Sequence, residues 1–217
     1  MKEQPIIFST KMVRAILNGQ KTQTRRVVRP QPTGSVRVSP FVPSGLEDGH
    51  GKEIRCPYTI GDHLWVRESI GIHVRPSDGI EGVCIYRADL PDGPDVTFEP
   101  HWTPSIHMPR WASRITLDIT AVHLEHLQKI SDSDAKAEGV QKNWIGDDCP
   151  PEYADEWMNY TPNDKEGFPC LSAKESYRTL WDAINGEREG CNWESDPWVW
   201  VVEYKIVQVK PSKYFRK

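Results

Sequence analysis

The 217-residue sequence contains no apolar run that approaches the roughly 20 residues of a membrane-spanning helix. The amino-terminal segment Met1–Pro5 also lacks the apolar core of a secretory signal peptide. These two absences predict a cytoplasmic protein that does not associate with membranes.

Closely spaced cysteine pairs are missing as well. The five cysteines are odd in number and widely separated, and no Cys-x-x-Cys pattern suggests zinc or redox chemistry. His123 and His126 could form a metal pair, but no third ligand lies nearby in the sequence. We therefore expect reduced thiols, no metal and no cofactor.

The chain lacks the positive charge of a protein that binds long duplex DNA, because its formal net charge is -4. Any contact with nucleic acid must therefore be local. The early basic residues are Lys21, Arg25, Arg26, Arg29, Arg37, Lys52 and Arg55. Acidic residues gather instead between positions 147 and 156. This asymmetry favours an anionic or nucleotide ligand near the amino-terminal half.

Aromatic residues are plentiful, with nine tryptophans and seven tyrosines, although only 37% of the residues are hydrophobic. This content argues against overall disorder, and the length suits one decorated domain. We predict a single domain over residues 1–217, with insertions at about 29–60, 89–112 and 143–170. These insertions are rich in proline, glycine or acidic residues.

Local patterns predict three helices. The first begins at Ser9 or Thr10 and ends at Gly19. The second runs from Ser131 to Glu138, and the third begins at Ser172 and ends at Asn185-Gly186. In the third helix the predicted core face is Tyr177, Leu180, Trp181 and Ile184.

Alternating or β-branched stretches predict at least four strands, at residues 63–68, 82–88, 114–123 and 198–209. In the first of them, Leu64 and Val66 share one face, and Trp65 and Arg67 share the other. Helices and strands together predict an α+β fold.

The most informative segment is Gly19–Arg26, which places Lys21, Thr24 and Arg25 directly after the first helix. An amine beside a hydroxyl can accept its proton or stabilise an oxyanion when burial or nearby cations lower the lysine pKa. The arginines could instead hold a phosphate or a nucleobase edge. The alternative is a solvated basic turn.

The pattern Gly-x-Lys-x-x-Thr-x-Arg stands here as Gly19, Lys21, Thr24 and Arg26. Together with Gly61-Asp62 before a strand and the final Glu-Tyr-Lys strand, it resembles the ASCH domain family of PUA-like proteins. The resemblance covers about half of the chain, and is greatest to larger, often phage-encoded members with Leu-Trp-Val-Arg-Glu and Ser-Ile-His-Met-Pro-Arg-Trp sequences. It implies a small mixed β-barrel with flanking helices and long loop insertions.

Some small ASCH proteins are amidohydrolases that remove the acetyl group of N4-acetylcytidine with a lysine, a threonine and a glutamate. The resemblance maps these roles onto Lys21, Thr24 and Glu138, with Glu68 as the rival carboxylate. Lys21 and Thr24 would point to opposite faces of a regular strand. We therefore expect a turn, a bulge or irregular backbone over residues 19–23.

The leading hypothesis is an ASCH-fold amidohydrolase acting on a modified pyrimidine nucleoside, with Arg26 as the orienting cation. The further candidates for substrate binding are Arg25, Trp65, Glu68, His107 and Trp111. The tryptophans could stack on a base, and packing is their alternative role. Two other functions stay open: a non-catalytic module that binds single-stranded RNA or a modified base, and a ribonuclease. The sequence leaves the oligomeric state open.

Overall fold

A computed structural model describes residues 1–75, 80–91, 101–142, 156–161, 169–211 and 214–215. The described helices are α1 (Thr10–Leu17), α2 (Asp132–Ala137) and α3 (Ala173–Asn185). The described strands are β1 (Glu3–Ile7), β2 (Gln23–Val27), β3 (Arg37–Val38), β4 (Leu46–Glu47), β5 (His63–Arg67), β6 (Ile70–Arg75), β7 (Ile80–Tyr86), β8 (Trp102–Thr103), β9 (Ile115–His126), β10 (Trp198–Val209) and β11 (Tyr214–Phe215). This mixture confirms the predicted α+β class.

The helices begin and end where the capping residues predict. Ser9 caps α1 by accepting the Met12 N–H, and Gly19 follows the helix with a φ of 71°. Ser131 and Asp134 form a capping box at the start of α2. Ser172 caps α3 by accepting the Glu175 N–H. Local sequence therefore fixes these three helices.

A five-stranded sheet has the order β1-β5-β9-β10-β2. The β1–β5 pair is parallel, whereas β5–β9 and β10–β2 are antiparallel. A barrel would require the outer strands β1 and β2 to pair, and they do not pair within the described part of the chain. The sheet is therefore open where the resemblance implied a closed barrel.

The chain divides into two compact units. Unit 1 contains residues Met1–Gln20, Ile60–Thr120 and Tyr204–Lys217, and unit 2 contains Lys21–Thr59 and Ala121–Glu203. The long strands β9 and β10 each contribute residues to both units. The prediction of one domain with insertions stays a prediction.

Unit 1 is built around β5, whose alternation follows the predicted pattern. Leu64 and Val66 are fully buried, whereas Trp65 and Arg67 are half-buried on the other face. A second sheet in this unit has the order β11-β7-β6-β8. Its small apolar cluster includes Ile70, Tyr86 and Met108.

Unit 2 has an aromatic core formed by α2, α3 and the first half of β10. Tyr177, Trp181 and Trp193 pack with Val199 and Val201. The predicted core face of α3 was wrong at Ile184, which is 58% exposed. The buried face instead continues from Trp181 to Asn185. The face that packs against the core therefore includes a polar residue and does not coincide with the predicted apolar face.

The predicted insertion at 29–60 contains one short hairpin, in which β3 pairs with β4. Residues 92–100 and most of the predicted 143–170 insertion lie outside the described residues. Cys56, Cys84, Cys170 and Cys191 are free thiols, and Cys149 also lies outside the described part. None of the described helices has both the length and the hydropathy needed to cross a bilayer.

Candidate functional site

A buried ion network in unit 2 contains Lys21 and Glu138, two of the three predicted catalytic residues. The Lys21 Nζ lies 2.8 Å from the Glu138 Oε2, and each residue is less than 5% exposed. The same amine donates to the backbone oxygens of Gln23, at 2.9 Å, and Glu138, at 2.7 Å. The Lys21 amine therefore contacts both the side-chain carboxylate and the backbone carbonyl of Glu138.

Local structure explains how residues so distant in sequence meet. The Thr22 N–H donates to the Ala137 oxygen at 2.8 Å, which joins the entrance of β2 to the last turn of α2. Gly139 has a φ of 85°, and its N–H donates to the Lys136 oxygen. This left-handed residue ends the helix and leaves Glu138 facing Lys21.

Burial lowers the pKa of the Lys21 amine, while the nearby Glu138 carboxylate acts in the opposite direction. The neighbouring arginines contribute to the lowering. A lysine in such a setting is closer to the neutral form that can accept a proton than an exposed lysine is. This is the electrostatic condition that proton transfer at Lys21 needs.

Arg25 links this ion pair to a second carboxylate. Its Nη1 lies 3.2 Å from the Glu138 Oε1, and its Nε and Nη2 lie 2.9 and 2.7 Å from the Glu125 Oε1. The Asp134 carboxylate lies 3.7 Å from the Nη2. Arg25 was predicted to bind substrate, but its side chain is only 1% exposed and its donors hold protein carboxylates.

Sequence reasoning missed Glu125, Asp134 and Tyr177 in this network. Tyr177 is buried beside the ion pair, and burial raises its pKa well above the ordinary value. Glu125 lies in β9, where the local pattern gave no sign of a charged partner. Only the long-range approach of β9 and α3 to β2 brings these side chains to Arg25.

Thr24 lies on β2, opposite Val202 of β10, and is buried. The strand begins at Gln23, so residues 19–22 are irregular as expected, whereas Gln23, which was also expected to be irregular, belongs to the strand. Strand alternation directs the Thr24 and Arg26 side chains to the face opposite Arg25. Among the residues that the structure describes, the Thr24 hydroxyl makes no hydrogen bond. Thr24 therefore adjoins the ion network in sequence but is not bonded to it.

The remaining candidates lie in unit 1. Glu68 is buried, and Arg114 donates to its two carboxylate oxygens at 2.9 and 3.0 Å. Arg114 also donates to Asp89 at 2.7 Å and lies 3.9 Å from the Tyr86 ring centroid. Burial raises the pKa of Glu68. The structure thus pairs Glu68 with Arg114, and pairs Lys21 with Glu138.

Trp65, a predicted substrate-binding residue, lies beside two arginines, and one of them, Arg110, is paired with the Glu3 carboxylate. Arg67 and Arg110 lie 5.5 and 5.7 Å from the Trp65 ring centroid. His107 is exposed, and Trp111 is 46% exposed. Both residues belong to short 3-10 turns within the predicted insertion at 89–112.

The histidines considered as a metal pair have other neighbours. The His126 Nδ1 lies 2.9 Å from the Asp196 backbone oxygen, and the His126 and Trp198 ring centroids are 3.9 Å apart with the rings tilted by 36°. His123 is exposed, with its Nε2 3.9 Å from the Glu125 Oε2. Within the described ranges, no group of three or more His, Cys, Asp or Glu residues is arranged to hold a metal ion.

Comparisons with known proteins add little to this geometry. No protein-family model matches the chain, and no curated protein matches it. The chain is similar to the crystal structure of an ASCH domain from Lactobacillus crispatus JV V101, with 13% identity and a TM-score of 0.40 over 95% of this chain and 80% of that chain. A similarity at this level carries no argument, so the α+β class rests on the chain's own helices and strands.

Proposed function

We propose that the chain is an amidohydrolase that removes an acyl group from a modified pyrimidine nucleoside such as N4-acetylcytidine. The observation that carries the proposal is the buried contact of 2.8 Å between Lys21 and Glu138. A proton donor and acceptor with little access to water suits general acid–base catalysis. Thr24 supplies the nucleophile, which requires its hydroxyl, not bonded to this network, to reach the Lys21 amine when substrate binds.

The reaction proceeds in two balanced steps. The Thr24 hydroxyl attacks the acyl carbon while its proton passes to the Lys21 amine. The bond between the acyl carbon and the cytosine N4 then breaks, and the Lys21–Glu138 pair returns a proton to the leaving amine. Water next hydrolyses the threonine ester, which releases the carboxylic acid and restores the hydroxyl.

The hydrogen bonds of Lys21 set one requirement for this mechanism. The Lys21 amine donates to three protein oxygens, so it must first pass one proton to the Glu138 carboxylate before it can accept the Thr24 proton. Catalytic hydrogen bonds often form only in the substrate complex. Arg25 contributes by holding the Glu138 carboxylate, and Arg26 remains the candidate orienting cation.

The test is to incubate the chain with N4-acetylcytidine and measure cytidine release by chromatography. Lys21→Ala, Thr24→Val and Glu138→Gln should each lower the rate by at least about a hundredfold, since general acid–base groups typically contribute that much. Thr22→Val is the matched control, because Thr22 is exposed and lies two residues from Thr24. Unchanged release by Thr24→Val would exclude the threonine as nucleophile.

A second candidate function is a non-catalytic module that binds single-stranded RNA or a modified base. Its supporting observation is that Lys21, Glu138 and Arg25 satisfy one another, as a structural ion network does. In that case binding persists in Thr24→Val and no substrate turns over. Cleavage of an RNA oligonucleotide by the wild type, lost in Lys21→Ala, would instead favour the ribonuclease.

A further inference from the structure

A cleft of about 340 Å³ lies within unit 2, in the proline-rich insertion. Residues 28–32 form one wall, and Asp48 with residues 52–55 forms the other. It is separate in its lining from the Lys21–Glu138 network. Its volume falls in the range of pockets that hold a small organic ligand, which begins at roughly 300 Å³.

The first wall is attached to the start of β10 through Gln31. The Gln31 side chain donates to the Val28 and Trp198 oxygens at 2.8 and 3.0 Å, and it accepts the Trp198 N–H at 2.9 Å. The Val28 N–H also donates to the Trp198 oxygen. This wall is therefore held by both backbone and side-chain bonds.

The second wall is held by the buried Asp48. Its carboxylate accepts the backbone N–H groups of Thr33, His50 and Lys52 at 3.2, 2.9 and 3.0 Å. The Asp48 N–H donates in turn to the Lys52 oxygen. The cleft thus lies between two walls that are each fixed to ordered backbone.

The charges of the lining favour an anion. Arg29, Lys52 and Arg55 outnumber Asp48 and Glu53, three against two, which gives a net charge of +1. The Asp48 oxygens already accept backbone N–H groups, and Glu53 accepts from the Arg55 Nε at 2.6 Å. Arg29 and Lys52 are exposed, and neither side chain has a partner in the portion of the chain that is described.

We propose that this cleft binds a nucleotide, with the phosphate group at Arg29 and Lys52. Arginine and lysine are the side chains that bind phosphate oxygens most readily. A bare phosphate ion would leave most of the cleft empty, whereas a nucleoside monophosphate unit places its sugar and base along Pro30, Pro32 and Ile54. The unit is either a free nucleotide or one residue of a single strand.

The experiment is isothermal titration of the 217-residue chain at low salt with three probes: inorganic phosphate, CMP and a short oligocytidylate. CMP should saturate one site, and phosphate should bind more weakly. Arg29→Ala and Lys52→Ala should each weaken CMP binding about fivefold, the effect of one partly exposed ionic contact. Lys129→Ala, which removes another exposed cation of unit 2, is the matched control and should not change binding.

The two sources of the phosphate give different results. Equal binding of CMP and the oligonucleotide identifies a free nucleotide. Tighter oligonucleotide binding that falls with salt between about 50 and 200 mM, with a shallower slope in Lys52→Ala, identifies a strand. The proposal is overturned if neither CMP nor the oligonucleotide saturates, or if Lys129→Ala weakens binding as much as Lys52→Ala.

This proposal is independent of the amidohydrolase chemistry, because the assay measures binding without turnover. If the chain binds CMP but releases no cytidine from N4-acetylcytidine, nucleotide binding at the cleft is supported and the amidohydrolase activity is excluded. If the chain releases cytidine but does not bind CMP, the amidohydrolase activity is supported and nucleotide binding at the cleft is excluded.

Discussion

Lys21 and Arg25 both contact the buried carboxylate of Glu138, one on each oxygen. Because the carboxylate is shared, loss of Lys21 and loss of Glu138 should have unequal effects on stability. Replacing Lys21 by methionine leaves Glu138 paired with Arg25, whereas replacing Glu138 by glutamine leaves the buried Lys21 amine without its carboxylate and Arg25 with Glu125 and Asp134. We therefore expect Glu138→Gln to lower the free energy of unfolding by about 3–5 kcal/mol, and Lys21→Met by less.

Urea unfolding at neutral pH measures both effects. Glu203→Gln is the control, because Glu203 is exposed on β10 opposite Gln23 and its loss should change stability by less than about 0.5 kcal/mol. A larger loss in Lys21→Met than in Glu138→Gln would show that Arg25 does not compensate for the missing amine.

At this scale the sequence predicted the pair but not its surroundings. The resemblance named Lys21 and Glu138 as catalytic residues, the structure places their charged atoms 2.8 Å apart, and their catalytic roles stay a prediction. Glu125 and Tyr177 could not be predicted, because neither the strand that contains Glu125 nor the helix that contains Tyr177 has a local pattern that encodes its approach to β2. Long-range packing decides such contacts, and a single sequence shows them poorly.

Among the elements, the insertion hairpin of β3 and β4 depends on Asp48 for its connection to Thr33 and Lys52. The backbone N–H of Lys52, and then those of Thr33 and His50, hold the pKa of Asp48 below its ordinary value of 3.8. A carboxylate with a lowered folded-state pKa stabilises the fold fully above 3.8. That stabilisation is lost as the pH falls through the folded-state pKa.

Asp48→Asn should therefore be less stable than the wild type at neutral pH, and the difference should shrink as the pH falls below 3.8. Thermal unfolding across this pH range measures the difference, and hydrogen exchange at the Lys52 amide localises it. Glu187→Gln is the control, since Glu187 is an exposed carboxylate of unit 2. A difference that does not change with pH would exclude the carboxylate charge as the cause.

Helix α2 positions Glu138, so its cap affects the candidate site through stability. The Ser131 hydroxyl accepts the Asp134 N–H at 3.1 Å, and the Asp134 carboxylate accepts the Ser131 N–H at 3.4 Å. Ser131→Ala should lower the free energy of unfolding by about 1 kcal/mol. Ser131→Thr keeps a capping hydroxyl and should be nearly as stable as the wild type. Urea unfolding measures both. Equal losses in the two variants would show that the hydroxyl does not cap the helix.

The elements with local signals were predicted well, and those without them were not. Capping residues gave the ends of α1, α2 and α3 to within a residue or two, and alternation gave β5. The strand β2 was missed because Gln23–Val27 is polar yet mostly buried, so it lacks an apolar alternation. The face of α3 was wrong at Ile184, because tertiary packing turned the helix toward Asn185.

For the whole molecule, the charge distribution explains why a net charge of -4 is compatible with an anionic ligand. Four of the seven early cations form two contrasting groups. Lys21 and Arg25 are buried against carboxylates, whereas Arg29 and Lys52 are exposed at the cleft. Binding of a nucleotide there depends on this local excess of positive charge, and salt should weaken it.

The two units share β9 and β10, and this predicts how the chain unfolds. Each strand contributes half of its residues to each unit, so loss of one unit removes half of each strand. We therefore expect one cooperative transition.

Leu64→Ala, in the fully buried core of unit 1, should lower stability by about 2–5 kcal/mol. It should shift the urea midpoint of α3 amides in unit 2 as much as that of β5 amides, when both are followed by hydrogen exchange. A shift confined to β5 would show that unit 1 opens by itself, and the two units would then be independent folding units joined only by the chain.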